Sequence, residues 1–232
     1  MERVTKTKMR YFPRLTAIDE IEAVRYAGAP DVSVYSAKTT ALICREMLLR
    51  VQPAACWEEY DYSEAKRQVL APEPYTLPSA DVVRHLQGAE KVALLAVTIG
   101  AAAEDISRTL FAEGRYSEAL LAEGAASAAV EQAADQFCAY LAKRYQKQGL
   151  QLTARYSPGY GDWALDEQPI ALSLAGGGTI GITLTKSLML TPKKSITAIV
   201  GWRREAEKAP LPAACAACPK LDCTMRKEGK TC

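Results

Sequence analysis

A chain of 232 residues, 49% of them apolar, has enough hydrophobic surface for one large domain or one domain with an appendage. Its 29 Lys and Arg against 27 Asp and Glu leave a formal charge of +2, too small to recruit nucleic acid or a membrane surface by electrostatics alone. Any ligand must therefore be held by a local site, and with a single histidine that site is neither a histidine-rich metal centre nor most kinds of Ser-His-Asp or Cys-His hydrolytic machinery.

The N-terminal stretch MERVTKTKMRYFPRL is charged and lacks the apolar core of a signal peptide. The longest smooth run, VALLAVTIGAAA, is too short to span a bilayer. Both point to a cytoplasmic protein with no membrane partner. In that reducing setting its seven cysteines are expected as thiols or metal ligands rather than as a disulfide framework.

Along the chain, IDEIEAVRYA carries helical spacing, closed by Gly28 to Pro30. SAKTTALICREMLLRVQ predicts a second helix with Ala41, Ile43, Met47 and Leu48 as its buried stripe and Cys44 as a small core residue. The segment from Ala54 to Pro78 mixes Tyr, Pro and charge and reads as irregular or as short edge strands around WEEYDYSEAKRQVL. SADVVRHLQG offers an N-cap and a glycine stop. Its His85 makes DVVRHLQG a near miss to the Asp-x-His-x-x-Gly cobalamin motif, the acid displaced by two residues; a surface histidine on a short helix is the preferred reading.

KVALLAVTIG then predicts a buried strand, and two helices follow, AAAEDISRTLFAEG and a long one from about Tyr116 to Gln148. In the long helix Val130, Ala134, Phe137, Leu141 and Tyr145 recur at three- and four-residue spacing, and Glu131 and Asp135 share another face. LQLTARY reads as a strand, Asp166 to Pro169 as the start of a short helix stopped by AGGG, and TIGITLT and SITAIVGW as strands. Helices first and strands clustered late predict an α+β fold with a mostly antiparallel sheet.

Between these elements lies RYSPGYGDWAL, which places one arginine, two tyrosines and a tryptophan within nine positions of a turn-rich loop. Pro158 stiffens it, and Gly159 and Gly161 let backbone approach a ligand. Arg155 is suited to clamp a carboxylate with two hydrogen bonds, and Tyr160 to stack on or bond to a planar partner. The plainer alternative is a surface turn whose aromatics pack down on a helix.

From Arg203 the composition changes to REAEKAPLPAACAACPKLDCTMRKEGKTC, so the chain divides into a domain over 1–204 and a linker with a cysteine tail over 205–232. Cys215, Cys218, Cys223 and Cys232 have the spacing C-x2-C-x4-C-x8-C, which suits zinc or a cubane iron–sulfur cluster, with unligated or redox thiols as the alternative. Cys232 is the final residue, which weakens its claim as fourth ligand.

RYSPGYGDWAL resembles the Arg-x-x-Pro-Gly-Tyr signature of the activation domain of cobalamin-dependent methionine synthase, which binds S-adenosylmethionine. LTKSLMLTPKKSITAIVG and EQAADQF resemble the family's Leu-Thr-Glu-Ser segment and its acidic helix, so the similarity runs from about Glu118 to Trp202. The resemblance implies that Arg155 binds the carboxylate of S-adenosylmethionine, that Tyr156, Ser157 and Pro158 contact it through backbone, and that Gly159 and Tyr160 face the corrin. The helix carboxylate implied for the cationic ligand is Asp135, less directly Glu131. Lys186 departs from the family, standing where glutamate is usual.

Nothing in the chain resembles the homocysteine, folate or cobalamin modules. The resemblance therefore implies a stand-alone reactivation protein, acting in trans on a cobalamin-dependent methyltransferase or methionine synthase and fed by a low-potential electron donor. No side chain is expected to be catalytic: cob(I)alamin attacks the methyl carbon directly, and the protein aligns sulfur, methyl and cobalt. The alternatives are an iron–sulfur electron donor to corrinoid proteins, through the cysteine tail, and a non-catalytic module that binds a corrinoid protein.

Overall fold

Every residue from Val92 to Ile99 is buried, and this run is the axis of the fold. The computed structural model of the chain describes residues 9–29 and 32–204. The expectations for Cys215, Cys218, Cys223 and Cys232 lie outside the described residues.

In chain order the elements are β1 (Met9–Tyr11), α1 (Glu20–Tyr26), α2 (Ala37–Arg50), β2 (Ala54–Ser63), β3 (Gln68–Val69), β4 (Tyr75–Thr76), α3 (Ala80–His85) and β5 (Ala89–Thr98). There follow α4 (Ala103–Ala112), α5 (Tyr116–Ala142), β6 (Leu150–Leu152), α6 (Gln168–Ala175), β7 (Thr183–Leu184), β8 (Leu190–Thr191) and β9 (Ser195–Arg204). The main sheet runs β4-β3-β2-β5-β9-β6 with β1 also on β2, and its pairings are antiparallel. The chain is thus α+β with a mostly antiparallel sheet packed with helices. Among the described residues no helix is long and apolar enough to cross a membrane.

Strand periodicity divides the core in two. Ala93, Leu95 and Val97 of β5 face the helices α1, α2, α4 and α5, whereas Val92, Leu94 and Ala96 face the layer that holds α3, α6 and Trp163. Covered on both faces, β5 reads in sequence as one unbroken apolar run. On the larger side α5 lies against α1, and Gly124 permits the approach: a Cβ there would sit 2.1 Å from the carbonyl oxygen of Ala23. The flanking Ala125, Ala126, Ala128 and Ala129 are buried, which is why this helix is built of small residues.

Several elements depart from the sequence expectations. The stretch expected to be irregular or to form short edge strands holds the two-residue strands β3 and β4, but it also contains β2, a ten-residue interior strand in register with β5 from Ala54↔Thr98 to Asp61↔Lys91. Its charges are answered by tertiary partners: Glu59 accepts from Trp57 Nε1 at 3.1 Å and from Tyr145 Oη at 2.7 Å, and pairs with Arg144 at 2.5 Å. TIGITLT forms only a 3-10 turn over Gly177–Ile180 and the two residues of β7, because Gly181 adopts φ 79° and breaks the extended run. The long helix ends at Ala142 rather than near Gln148. In α2, Thr40 is buried in place of Ala41.

Candidate functional site

The site begins where α5 has delivered the chain back to the sheet edge. Strand β6 pairs with β9 up to Leu152↔Trp202, and pairing resumes at Tyr156↔Ile199, so four residues advance on one strand against three on the other. This is a bulge. Inside it the Thr153 backbone N–H donates to Gly201 O at 2.8 Å, and the Thr153 hydroxyl accepts from the Gly201 N–H at 3.0 Å. The extra residue leaves Arg155 reaching across to α5 while Tyr156 is held by reciprocal backbone bonds to Ile199 of 3.0 and 2.8 Å.

His85 completes the bulge. It is buried, not at the surface as the sequence suggested, and its Nε2 lies 2.8 Å from Ala154 O. A carbonyl can only accept, so Nε2 carries the proton. Burial holds its pKa below the ordinary histidine value, with the Ala154 carbonyl opposing and Arg203 reinforcing the shift. The ring also packs against Tyr156, 5.4 Å between centroids. His85 is therefore a positioning group for the loop.

Arg155 meets two carboxylates at once. Nη2 is 2.7 Å from Glu131 Oε2 and Nη1 is 2.7 Å from Asp135 Oδ1, both on one face of α5. Nη1 also points at Cys138 Sγ, 3.7 Å away. Burial opposes the charge on Arg155, but the surrounding anionic groups outweigh it and hold the guanidinium more firmly charged than usual. Cys138 is itself pushed up by burial, against the pull of Arg155, so it stands there as a neutral thiol at pH 7 and the two carboxylates supply the compensation.

Beyond Arg155 the loop is pinned at three points. Pro158 is buried, and Trp163 is fully buried with its Nε1 donating to Tyr75 Oη at 3.3 Å. Asp162 accepts from the Ala80 and Asp81 N–H groups at 2.8 and 3.2 Å and from the hydroxyl of Ser79, the N-cap of α3. Tyr160, between these anchors, is 69% exposed. One aromatic of the loop thus packs down into the core, and another is presented to solvent on a held backbone.

The structure brings Arg155 and Asp135 into direct contact and places Tyr156, Ser157, Pro158, Gly159 and Tyr160 in sequence along one held loop. Glu131 is as close to Arg155 as Asp135 is. Their spacing of four in EQAADQF was the visible signal; that Arg155 is their partner was not. The sequence pointed to His85 but not to its place in the loop, and gave Asp162 no role, because both depend on contacts 69 and about 80 residues away. Lys186 sits in the turn of the β7–β8 hairpin, where Thr185 Oγ1 and Ser187 Oγ lie 3.0 Å apart.

Among the described residues no group of three or more His, Cys, Asp or Glu is placed to hold a metal ion, and Cys44, Cys56 and Cys138 are free thiols. A cavity of about 390 Å³ beside α6 is lined by Pro169, Leu172, Ser173, Gly176, Gly178, Thr179 and Ile182. It has no charged group and so does not suit a charged amino-acid ligand.

No family model matches the chain, and no curated protein matches it. A solved structure does: that of the MetH reactivation domain bound to AdoHcy, with a TM-score of 0.52 over 74% of this chain and 64% of that one, at 13% identity. The chain therefore has the fold of a reactivation domain, over less than two thirds of that relative's length.

Proposed function

We propose that this protein binds S-adenosylmethionine through Arg155 and serves as a reactivation module for a cobalamin-dependent methyltransferase of the methionine synthase kind, acting in trans. The observation that carries the reading is the placement of Arg155, 80% withdrawn from solvent in its side chain and held between Glu131 and Asp135 at the head of the loop that exposes Tyr160. An arginine and a pair of acids are the groups that the carboxylate and ammonium of an amino-acid ligand require. The shared fold with a reactivation domain supports the same assignment.

On this reading Arg155 takes the ligand carboxylate, Asp135 and Glu131 face its ammonium, and the backbone of Tyr156, Ser157 and Pro158 borders it. Gly159 and Tyr160 meet the corrin of the partner. The bound ligand supplies an electrophilic methyl group, and the partner's cobalt, once reduced by a low-potential donor, supplies the nucleophile. This chain positions and shields; it contributes no reacting atom.

The test is calorimetric titration of the protein with S-adenosylmethionine in parallel with Arg155→Ala. Binding that the substitution abolishes supports the reading. Absence of binding by the intact protein, together with tight binding to a corrinoid protein, supports a second reading, a non-catalytic corrinoid-protein binding module. That alternative draws on the same observation, since a guanidinium already bonded to two carboxylates satisfies itself without a ligand.

A further inference from the structure

The proposed function asks Arg155 to accept a carboxylate, yet its guanidinium already contacts two. One guanidinium against two carboxylates gives this cluster a formal charge of −1. The neutral Cys138 thiol leaves that balance unchanged. A ligand carboxylate brought alone to such a site meets net repulsion, so the site favours a ligand that brings positive charge with it.

S-Adenosylmethionine carries a carboxylate, an ammonium and, three bonds from the α-carbon, a sulfonium, for a net charge of +1 on its amino-acid end. Once the methyl group leaves, the sulfur is a neutral thioether, and the amino-acid end of S-adenosylhomocysteine sums to zero. A lone arginine, or an arginine balanced by one acid, has no electrostatic reason to prefer the first over the second. An arginine flanked by two acids has one.

We infer that Glu131, with Asp135, makes the Arg155 site charge-selective, so that it takes the cationic methyl donor in preference to its neutral product. This rests on the S-adenosylmethionine reading above. The two acids are positioned by the helix itself: four residues apart on α5, whose opposite side is fixed by the buried Ala133, Ala134 and Phe137. They sit on different nitrogens of the guanidinium, so a ligand carboxylate can displace one while the other still neutralises Arg155. The displaced acid is then free to meet the ammonium and sulfonium. The consequence for a reactivation cycle is release of the spent product without competition against fresh donor.

The size of the effect is set by exposure. Glu131 and Asp135 are 40% and 70% exposed in their side chains, so solvent screens them, and the preference for donor over product is about three- to tenfold, narrowing as salt is raised.

The experiment is titration of the wild type, Glu131→Gln and Asp135→Asn with S-adenosylmethionine and S-adenosylhomocysteine side by side, at low and moderate ionic strength. The quantity read is the ratio of the two affinities, because any change in the availability of Arg155 acts on both ligands and cancels. The expected result is a wild-type ratio of about three to ten that falls toward one in Glu131→Gln, even where both ligands bind that variant more tightly. Asp135→Asn gives a second reading of the ratio should the first variant fail to fold. A wild-type ratio of one, or a ratio that both variants leave unchanged while both ligands still bind, overturns the inference alone. A wild type that binds neither ligand overturns the S-adenosylmethionine reading and this inference with it.

Discussion

Asp162 Oδ2 accepts the backbone N–H of Ala80 at 2.8 Å, tying the centre of the 155–165 loop to the first turn of α3. The same carboxylate takes the Ser79 hydroxyl and the Asp81 N–H, so one side chain satisfies donors that a short helix otherwise leaves to water. The Ser79 hydrogen bond, with the backbone N–H groups of Asp81 and Ala80, outweighs the opposing desolvation and holds the Asp162 carboxyl below its ordinary value. A carboxyl lowered in the folded state lends stability above its unfolded pKa and loses it as pH falls through the folded one. Asp162→Asn is therefore expected to be less stable than wild type at neutral pH, with the gap closing below about pH 4. Thermal unfolding of both proteins across pH 2.5 to 7 checks this, and a gap that does not depend on pH sinks it.

Gly161 is held open by its neighbours. A Cβ there would lie 2.1 Å from Tyr156 Oη and 2.7 Å from Asp81 Oδ2, at a φ of 52° that costs an ordinary residue further. Gly161→Ala is expected to lose about 1–3 kcal/mol and to move the Tyr156 ring. Urea unfolding measures the first. The second should appear as a change in the near-ultraviolet dichroism of the Tyr156 and Trp163 environment, whose ring centroids lie 6.4 Å apart.

Gly124→Ala sets propensity against packing. In an exposed helix the exchange gains about 1 kcal/mol. In α5 the new methyl would meet Ala23 O at 2.1 Å and the Ala27 backbone nitrogen at 2.7 Å, atoms that cannot move without shifting α1. Packing wins, and a net loss of about 1–3 kcal/mol is expected. A variant as stable as wild type would mean that α1 is free to slide on α5.

How far each feature could be read in advance follows from how local its cause is. The strand KVALLAVTIG was visible because β5 is apolar on both faces, and the small-residue helix because its spacing is written in consecutive turns. The interior strand β2 was hidden by Glu58, Glu59 and Asp61: the largely buried Glu59 is answered by Arg144 and Tyr145, which arrive from elsewhere, and Asp61 lies exposed beside Lys91. In the site, Arg155 and the loop glycines stood out by type and spacing. The pairing of Arg155 with Glu131 and Asp135 did not, since it exists only because β6 returns the chain beside α5. His85 was misplaced for the same reason: its acceptor, Ala154 O, is created by the bulge.

His85 gives the fold a titration of its own. Burial lowers its pKa in the folded state, so between its unfolded value near 6.5 and the lower folded value the unfolded chain binds more protons, and stability falls as pH falls. Wild type is expected to lose thermal stability from about pH 6.5 downward, and His85→Gln, which retains a donor for Ala154 O, to show a shallower decline over that window. Equal slopes for the two proteins would show that His85 does not titrate on unfolding.

Arg155→Lys separates geometry from charge. Lysine keeps the positive charge that offsets Glu131 and Asp135, but its ammonium is a point donor without the planar fork that spans both acids and presents paired N–H groups to a carboxylate. If charge alone held the ligand, the variant would bind S-adenosylmethionine nearly as well as wild type. If the fork is what matters, affinity falls by about tenfold or more, while folding stability changes less than in Arg155→Ala, which leaves two neighbouring carboxylates on one face of α5 without their shared cation. Titration calorimetry and thermal unfolding of the three proteins decide it, and the expected order of affinity is wild type, then lysine, then alanine, with lysine much nearer to alanine.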